Sequence, residues 1–407
     1  MNTLVIVESA CVGAAYTANA AKQLGYRPLY LADGHNSQGE TLTQMKQFDL
    51  LMCDTNSVTA MEIALKKTDV ADIKAVISLC DTSIMNAIEL AERLGVKSIH
   101  SIAKRLKDKG EVFALIPEFS PPSIVFDKNN IPFGELKTLA ITSEKILFKA
   151  CCSSGGYGSF TLNKNELDQL PKKLEIANIP VHLKPEKWIA QSFIEGRLVS
   201  LEGYISNKTP FFIGFTGRKK IGMTESVVIF PVDNELNTTV REKIKNSVTC
   251  LLQRSGFKYG YFHVEFIVTS EDAFLIDANI GRIGGAGISE QFAIAYDTEP
   301  TMIYRHILLL SLEQRDENGS QIFKKPMKNT WSAAYGIPIE ATLKRVILPK
   351  NFPNYHIQIL DNDTIVPTMG TDNYAWVGIV SGEARSVEKY TPLIKIETDK
   401  GTFNAIF

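Results

Sequence analysis

Residues 261–287 read YFHVEFIVTSEDAFLIDANIGRIGGAG, and they hold the clearest chemical pattern in the chain. Two apolar runs flank the polar turn TSED, which predicts a β-hairpin. Side chains alternate between the two faces of a strand, so Asp277 and Asn279 share one face. A hairpin can bring Glu265 opposite them, and the three oxygen donors would then converge on one small volume.

These oxygen donors suggest a cation site. Facing carboxylates within a sheet repel each other and lose hydration unless a cation lies between them. Mg²⁺ suits such a set, because it prefers oxygen ligands and is often shared between side chains and nucleotide phosphates. We therefore predict that Glu265, Asp277 and Asn279 bind Mg²⁺, with Mn²⁺ as an alternative ion. The solvated face of an ordinary hairpin fits the spacing about equally well.

The hairpin runs directly into the glycine-rich sequence NIGRIGGAG. Glycine lets backbone N–H groups approach an oxyanion, and a guanidinium can bind phosphate or carboxylate through two hydrogen bonds. Arg282, Gly284 and Gly285 are thus candidates for an anion site, and a flexible turn with a surface arginine is the alternative.

A second glycine-rich loop, SSGGYG at residues 153–158, follows an apolar run that ends at Phe148-Lys149. A strand, a lysine and a mobile glycine loop in this order can hold and cover phosphates. The loop does not match the GxxxxGK[ST] pattern, because its lysine precedes the glycines. An exposed β-turn is the commoner meaning of a Gly-Gly pair.

The first hundred residues alternate between short apolar runs and helical segments. The expected strands are Leu4–Val7, Pro28–Leu31, Leu50–Cys53 and Ala75–Leu79. This alternation predicts a parallel sheet with helices on both faces. Further along, residues 188–232 contain three strand-like runs, residues 239–255 and 289–312 read as helices, residues 316–327 as a polar linker, and the last 80 residues as short strands.

Composition narrows the class of protein. The 407 residues are 44% hydrophobic and carry a formal net charge of −1, which predicts two or three domains with buried cores. A near-neutral chain gives no reason to expect nucleic acid or an acidic membrane surface as a partner. Cysteines without CxxC spacing, no apolar run of membrane-spanning length and no basic leader predict a reduced, cytoplasmic protein.

The order of these pieces resembles the ATP-grasp superfamily, and within it the carboxylate–amine ligases close to the L-amino acid ligases and biotin carboxylase. The resemblance covers roughly residues 1–310. Its most specific part is the family pattern His-x-Glu followed by (Glu/Asp)-x-Asn-x-x-Arg-x-Gly-Gly. The matching residues here are His263, Glu265, Asp277, Asn279, Arg282, Gly284 and Gly285.

The lid of the family is matched more loosely. Asp108-Lys109 corresponds to a pair that precedes the lid, and Lys149 corresponds to a second lysine at the end of a lid strand. The residue after that lysine is usually proline in the family, and here it is Ala150.

The linker strand departs from the family pattern Glu-x-x-Ile-x-Gly-x-Glu-x-Ser. Gln191 replaces the first glutamate and Leu198 replaces the second. Glu195 and Glu202 are therefore the remaining candidates for the ribose contact.

The resemblance implies a role for each site residue. The implied ATP contacts are Lys109, Lys149, Ser153, Ser154, Gly155, Gly156, Gln191, Ser192, Phe193, Ile194 and Glu195. The implied substrate contacts are Arg282, Gly284, Gly285 and Glu225. Lys149 and Arg282 would be catalytic: Lys149 would spread charge on the transferred phosphate, and Arg282 would hold the carboxylate or the acyl phosphate.

The resemblance also implies a multidomain α/β and α+β protein with an ATP-grasp fold and an N-terminal Rossmann-like preATP domain. The expected divisions are residues 1–100 for that domain, 101–187 for linker helices and lid, 188–315 for the central Mg-ATP domain, and 325–407 for a small C-terminal α+β domain.

The implied activity is ATP-dependent amide or peptide bond formation through an acyl phosphate, with small carboxylate and amine substrates resembling amino acids. A homodimer is the general expectation for such an enzyme. One alternative is a carboxylase or purine-pathway ligase of the same superfamily, although the chain has no biotin-carrier region. The other is a nucleotide-binding protein without ligase activity.

Overall fold

The computed structural model describes the whole chain except residues 1, 11, 69, 154–155, 178, 180–184, 186, 286 and 314–318. The predicted ATP contacts Ser154 and Gly155 and the first part of the predicted linker lie outside the described residues. Within the described ranges, no helix combines the length and the apolar character needed to cross a membrane.

The N-terminal part is built as a parallel sheet with helices. Its strands are β1 (Thr3–Val7), β2 (Arg27–Ala32), β3 (Asp49–Met52) and β4 (Ile73–Ile77), and its helices are α1 (Ala14–Gln23), α2 (Gly39–Met45), α3 (Val58–Lys67) and α4 (Ile84–Leu94). The strands pair in parallel in the order β3-β2-β1-β4. Every residue of β1 is buried, as expected for a strand covered on both faces. The predicted parallel sheet is therefore confirmed.

The next part contains a small four-stranded sheet in the order β5-β8-β6-β7. Its elements are α5 (Ile102–Arg105), α6 (Lys109–Leu115), β5 (Ser123–Asp127), α7 (Phe133–Thr142), β6 (Lys145–Ala150), β7 (Phe160–Asn163), α8 (Leu170–Ile176) and β8 (Lys187–Ser192). The predicted phosphate loop connects β6 with β7, next to the end of the strand that carries Lys149.

The central part begins with three antiparallel strands. Its elements are β9 (Arg197–Ser206), β10 (Thr209–Ile221), β11 (Thr224–Phe230), α9 (Thr238–Ser255), β12 (Gly260–Val268), β13 (Ala273–Ile280), α10 (Ile288–Ala295) and α11 (Pro300–Ser311). The predicted hairpin is confirmed as β12 and β13. The range 289–312, predicted to be helical, forms two helices, and Pro300 opens the second, where its missing N–H costs no hydrogen bond.

The C-terminal part supplies strands to the central sheet. Its elements are α12 (Gly319–Ile322), β14 (Thr330–Tyr335), β15 (Ala341–Ile347), β16 (Tyr355–Gln358), β17 (Ile365–Val366), β18 (Gly378–Glu383), α13 (Ala384–Tyr390), β19 (Lys395–Thr398) and β20 (Gly401–Asn404). The eight-stranded sheet has the order β13-β12-β9-β10-β11-β14-β18-β16, and a separate sheet has the order β17-β15-β19-β20. The divisions at 1–100, 101–187, 188–315 and 325–407 remain predictions.

The N-terminal part is seated on the central part where α1 meets α11. Gly13 caps α1 with a φ of +118°, and a Cβ atom at this position would overlap the Tyr304 hydroxyl of α11. Tyr304 also stacks on Tyr16, with ring centroids 5.9 Å apart. The glycine therefore lets the two parts approach closely.

We expect Gly13→Ala to destabilise the protein more than Gly25→Ala does. Both glycines have positive φ, so each alanine carries similar backbone strain, but nothing lies within 4 Å of a Cβ at Gly25. Overlap with Tyr304 should therefore add about 1–3 kcal/mol of destabilisation. Thermal unfolding followed by circular dichroism measures the difference, and equal melting temperatures for the two variants would contradict this account.

Candidate active site

The hairpin places acidic and polar side chains in two rows across the central sheet. Glu265 lies opposite Asp277 on β13 and opposite Ser200 on β9. In the neighbouring row, His263 lies opposite Asn279 and Glu202. The alternation that predicted a shared face for Asp277 and Asn279 therefore continues over three adjacent strands.

Lys109 reaches this face from the first residue of α6. Asp108 caps that helix, and its carboxylate accepts a 2.7 Å hydrogen bond from the backbone N–H of Gly110. The Lys109 Nζ atom lies 3.2 Å from Asp277 Oδ1 and donates to the carbonyl of Ser153 at 3.1 Å. Burial alone would lower the pKa of Lys109, but Asp277 and Asp81 raise it, so this lysine is charged.

Lys149 lies beside it at the end of β6 and has a different electrostatic environment. Its buried Nζ atom donates to the Ile276 carbonyl at 2.9 Å and lies 5.1 Å from the centre of the Phe113 ring. Burial, together with the charge of Lys109, lowers the pKa of Lys149 to about 7. The structure thus brings the two predicted lysines to the middle of β13, one at Asp277 and the other at Ile276.

His263 is held between two carboxylates. Its Nδ1 atom is hydrogen-bonded to Glu202, and its Nε2 atom lies 3.2 Å from Glu265 Oε1. Burial alone would lower the pKa of His263, but Glu202 and Glu265 raise it to about 9. The cation in turn lowers the pKa of Glu265 to about 2, against the effect of burial. Glu202 is fully buried in this contact, and the choice between Glu195 and Glu202 as the ribose contact remains a prediction.

Arg282 is buried and bound to an acid from the N-terminal part. Its Nε and Nη2 atoms lie 3.0 and 2.8 Å from Asp81 Oδ1, and Nη1 donates to the Ile283 carbonyl at 3.0 Å. Asp81 also pairs with Lys107. Burial alone would raise the pKa of Asp81, but Arg282 and Lys107 lower it well below its ordinary value. The sequence analysis missed Asp81, although its place after a parallel strand is a common location for site residues.

The two glycines after Arg282 have different surroundings. A Cβ atom at Gly284 would overlap Ile288 and lie 2.9 Å from His263 Nδ1, so only glycine allows this close approach. Gly285 is exposed, with nothing within 4 Å of a Cβ atom. Gly285 is therefore open to a ligand, and Gly284 maintains the packing beneath it.

The described part of the glycine loop touches the C-terminal part of the chain. Gly156 and Gly158 have φ values of +72° and +74°, which favour glycine. A Cβ atom at Gly156 would lie 2.8 Å from the Asn373 side chain, and the rings of Tyr157 and Tyr374 are 6.2 Å apart.

The linker strand β8 ends in buried polar atoms that lack partners. Within the described residues, Trp188 Nε1, Gln191 Nε2 and Ser192 Oγ have no hydrogen-bond partner. Such atoms usually have partners in proteins, so a polar ligand or an ordered water would complete their hydrogen bonding. Beyond the strand, Phe193 lies under Lys145, whose Nζ atom is 4.8 Å from the ring centre. Ile194 is half-buried and Glu195 is exposed.

Glu225 lies at the start of β11, which β9 and β10 separate from the hairpin in the sheet. Its carboxylate is 3.0 Å from Nε of Arg218, whose side chain is buried, and its backbone carbonyl accepts a 2.8 Å hydrogen bond from Trp376 Nε1. The predicted substrate contact is therefore paired with an arginine that the sequence analysis did not single out as its partner.

The oxygen donors of the hairpin suit a shared cation better than an all-protein site. In the part of the chain that the structure describes, no three His, Cys, Asp or Glu side chains are grouped to hold a metal ion. Glu265 and Asp277 supply two carboxylates, and Asn279 adds an amide. Mg²⁺ commonly takes one or two carboxylates together with phosphate oxygens, so this donor set fits a magnesium–nucleotide complex.

We expect Glu202→Gln to lower the pKa of His263 by more than one unit, since Glu202 is the largest favourable influence on the imidazolium. His263 binds its proton more tightly in the folded chain, with a pKa of about 9, than in the unfolded chain, where about 6.5 is usual. Its charge therefore stabilises the fold below about pH 6.5, and this contribution is lost as the pH rises through 9.

Imidazole NMR titration of wild type and Glu202→Gln measures the pKa directly. Glu271→Gln, on the exposed turn of the same hairpin, is the control and should leave the titration unchanged. An unchanged His263 pKa in Glu202→Gln would contradict the role assigned to this carboxylate.

Comparison with known proteins supports the resemblance. Residues 163–290 match the family model of the ATP-grasp domain. The chain has no significant sequence similarity to a curated protein. The crystal structure of L-amino acid ligase from Bacillus licheniformis is similar with a TM-score of 0.72 and 13% identity, over 100% of this chain and 99% of that chain.

Two other solved structures are similar to a comparable degree. Phosphoribosylglycinamide synthetase from Anaerococcus prevotii has a TM-score of 0.69 and 15% identity, over 97% of this chain and 99% of that chain. The biotin carboxylase domain of the 2-oxoglutarate carboxylase from Hydrogenobacter thermophilus, a dimer in complex with magnesium ADP, ADP and bicarbonate, has a TM-score of 0.69 and 14% identity, over 96% of this chain and 90% of that chain.

The family match and the structural similarity agree with the fold that the motifs predicted. The mixed α/β and α+β architecture is confirmed, as is the predicted ATP-grasp fold. The chain therefore has the ATP-grasp fold, and residues 163–290 match the ATP-grasp domain family.

Proposed function

We propose that this protein is an ATP-dependent ligase that joins a small carboxylate to an amine through an acyl phosphate, releasing ADP and phosphate. One observation carries the proposal: within an ATP-grasp fold, Lys109 and Lys149 contact the middle of β13 at Asp277 and Ile276, and Glu265 lies opposite Asp277 on β12. Cations for phosphates and carboxylates for a metal ion lie together there, which is what phosphoryl transfer requires.

The nucleotide would lie between the small sheet and the central sheet. The unpartnered atoms of Gln191 and Ser192, with the residues up to Glu195, would bind the base, and Lys109, Lys149 and the loop at 153–158 would hold the phosphates. Glu265, Asp277 and Asn279 would bind Mg²⁺, which neutralises phosphate charge when it is bound. Because burial keeps the pKa of Lys149 near 7, a phosphate beside it would stabilise its charged form.

The proposed reaction needs no nucleophile from the protein. A carboxylate oxygen of the substrate attacks the γ-phosphorus of ATP, the bond to the bridging oxygen breaks, and ADP leaves. The nitrogen of the amine then attacks the carbonyl carbon, phosphate leaves, and the nitrogen loses a proton. The protein would contribute by positioning the reactants and by placing cations where negative charge develops.

Arg282 would contact the carboxylate substrate in this scheme. In the structure its guanidinium is bound to Asp81, so a substrate carboxylate would replace or share that partner. The exposed Gly285 and the Arg218–Glu225 pair would form other parts of the substrate site.

The similarity to the L-amino acid ligase supports amino-acid-like substrates. The comparable similarity to phosphoribosylglycinamide synthetase favours a purine-pathway type of ligase as the second candidate. Phosphate release from ATP, screened over pairs of amino acids and other small acids and amines, distinguishes these classes. Release that no added acid and amine stimulates would overturn the ligase proposal and leave a nucleotide-binding protein.

We expect Glu265→Gln to abolish turnover while the protein stays folded, because the change removes one of two carboxylates available to the metal ion. Glu271→Gln, an exposed glutamate on the turn of the same hairpin, removes the same charge and should keep wild-type turnover. Phosphate release at ordinary Mg²⁺ concentrations measures both variants. Near-normal turnover in Glu265→Gln would remove this residue from the metal site.

We expect Arg282→Ala to keep ATP affinity within roughly tenfold and to lose about a hundredfold or more in amide formation. Lys107 would still neutralise Asp81 in this variant, so the loss should not reflect unfolding. Arg282→Lys should restore little activity, because an ammonium cannot form two parallel hydrogen bonds with a carboxylate.

Calorimetry gives the ATP affinity of these variants and phosphate release gives their turnover. Arg345→Ala, which breaks an exposed pair with Glu397, controls for the loss of a charge. Normal turnover in Arg282→Ala, or a loss of ATP binding as large as the loss of activity, would show that the role is wrong.

A further inference from the structure

A small cavity of about 40 Å³ lies where three parts of the chain meet. Its walls come from α1 and α2, from the start of α10, and from β16 and β18. The polar side chains that line it belong to Tyr16, Gln44, Glu290, Tyr355, His356 and Ser381. None of the roles proposed above uses this cavity.

Glu290 is the residue that gives the cavity its chemistry. Its side chain, on the third residue of α10, is buried, with 1% of its surface exposed. One carboxylate oxygen, Oε2, accepts a 2.9 Å hydrogen bond from Ser289. The other oxygen, Oε1, has no hydrogen-bond partner among the described residues. Leaving a buried acceptor unpaired is costly, and such an atom usually has a ligand or an ordered water as its partner.

Nothing in the described walls of the cavity neutralises this carboxylate. The lining contains no lysine or arginine. His356 bonds to the Tyr335 hydroxyl through Nε2 at 2.8 Å, and burial lowers its pKa to about 4, so it is neutral. Burial also raises the pKa of Glu290 to about 7. An ammonium group bound in the cavity would donate to the unpartnered Oε1 atom and favour the charged form of Glu290.

The aromatic surroundings suit an organic cation. Tyr16 and Tyr355 line the cavity, and Tyr304 stacks on Tyr16 behind it. The Tyr304 hydroxyl is engaged with Ser289 at 3.0 Å and with the Val12 carbonyl at 3.2 Å. A carboxylate with aromatic rings around it is a recurring combination in sites for ammonium groups.

Glu290 lies on the helix that directly follows the glycine-rich segment of the proposed catalytic centre. Gly287 caps α10 and follows Gly284 by three residues, and Gly284 lies against His263. Consecutive Cα atoms are about 3.8 Å apart, so the Cα atoms of the two glycines are separated by about 11 Å at most. The helix that carries Glu290 therefore begins close to Gly284.

We infer that this cavity binds a cationic nitrogen of the amine substrate, and that Glu290 is the residue that selects it. That the bound compound is a substrate rests on the proposed ligase function. That the cavity binds an ammonium group rests on the cavity alone. The nitrogen that attacks must be uncharged, so the nitrogen bound by Glu290 is a second one, and the inferred substrate carries at least two amine groups. A carboxylate in the same place would face the charge of Glu290 without a counterion.

Binding is tested on the full-length protein with methylammonium chloride as the probe. The side-chain carboxyl signal of Glu290 is followed by ¹³C NMR and assigned by its absence in Glu290→Gln. A bound ammonium favours the carboxylate, so saturating methylammonium should move the titration of Glu290 to lower pH. Tetramethylammonium, which is too bulky for the cavity and has no N–H donor, should have no effect.

Two results of this titration would overturn the inference. One is a titration that methylammonium leaves unchanged. The other is an equal response to sodium chloride, which would identify a site for simple monovalent ions. Glu299→Gln is the matched control, because Glu299 is exposed and near enough to raise the pKa values of Tyr16 and Tyr355. This variant should respond to methylammonium as wild type does.

Activity gives a second and separate readout. With an amine identified by phosphate release, Glu290→Gln should raise the KM for that amine on the order of a hundredfold, as expected when one partner of a buried charge pair is removed. The KM for ATP should stay within a few-fold of wild type, and Glu299→Gln should leave both constants unchanged. An unchanged KM for the amine in folded Glu290→Gln would overturn the selective role.

The two proposals can fail independently. A methylammonium response in a protein that no amine stimulates would uphold the cation site and overturn the ligase. Amine-dependent phosphate release with no methylammonium response would uphold the ligase and overturn the assignment of Glu290.

Discussion

Buried charges of alternating sign hold the centre of this molecule together. Glu202, His263 and Glu265 form one chain of contacts across adjacent strands, and Asp277 and Lys109 form another beside it. A buried charge without a partner would cost several kcal/mol, so each of these groups fixes the position of the next. Only glycine at position 284 leaves room for the chain to pass over this row.

The same kind of pairing joins the separate parts of the chain. Lys109 starts α6 and is bound to the hairpin, while Asp81 follows the parallel sheet and is bound to Arg282. Each contact connects residues far apart in sequence. Ion pairs at the candidate site therefore connect the N-terminal part, the small sheet and the central sheet. A charged ligand bound there would change contacts that involve all three parts.

Local patterns in the sequence predicted the structural features that are determined by residues close together in the chain. The alternation in residues 261–287 gave the hairpin and the shared face of Asp277 and Asn279, and the strand–helix alternation gave the parallel sheet. The break before Pro300 was missed because an apolar helix pattern continues on both sides of it. Strand β11 was missed because its polar start, with Thr224 and Glu225, does not look like a strand by itself.

The pairings across the site were beyond prediction from local patterns. Nothing near Asp81 in sequence indicates that its partner is Arg282, and Glu202 gave no sign that it would be buried against His263. Glu290 looked like an ordinary residue in the first turn of a helix, where a carboxylate is favoured by the helix dipole. Only the packing of three distant segments around it shows that one of its oxygens has no partner among the described residues.

The balance of charges at the candidate site explains how one face of the central sheet can bind both positively and negatively charged ligands. Lys109 pairs with Asp277, and His263 lies between Glu202 and Glu265. Asp81 pairs with both Arg282 and Lys107, so four acids meet four cations in these contacts. A single ion entering such a site would leave a buried charge unpaired. A magnesium–nucleotide complex brings positive and negative charge together. The lysines can therefore bind the phosphates while the carboxylates bind the metal ion. The charged groups exchange partners, and positive and negative charges still cancel. The cavity at Glu290 differs, because its described lining holds no cation and a positively charged ligand would balance the carboxylate.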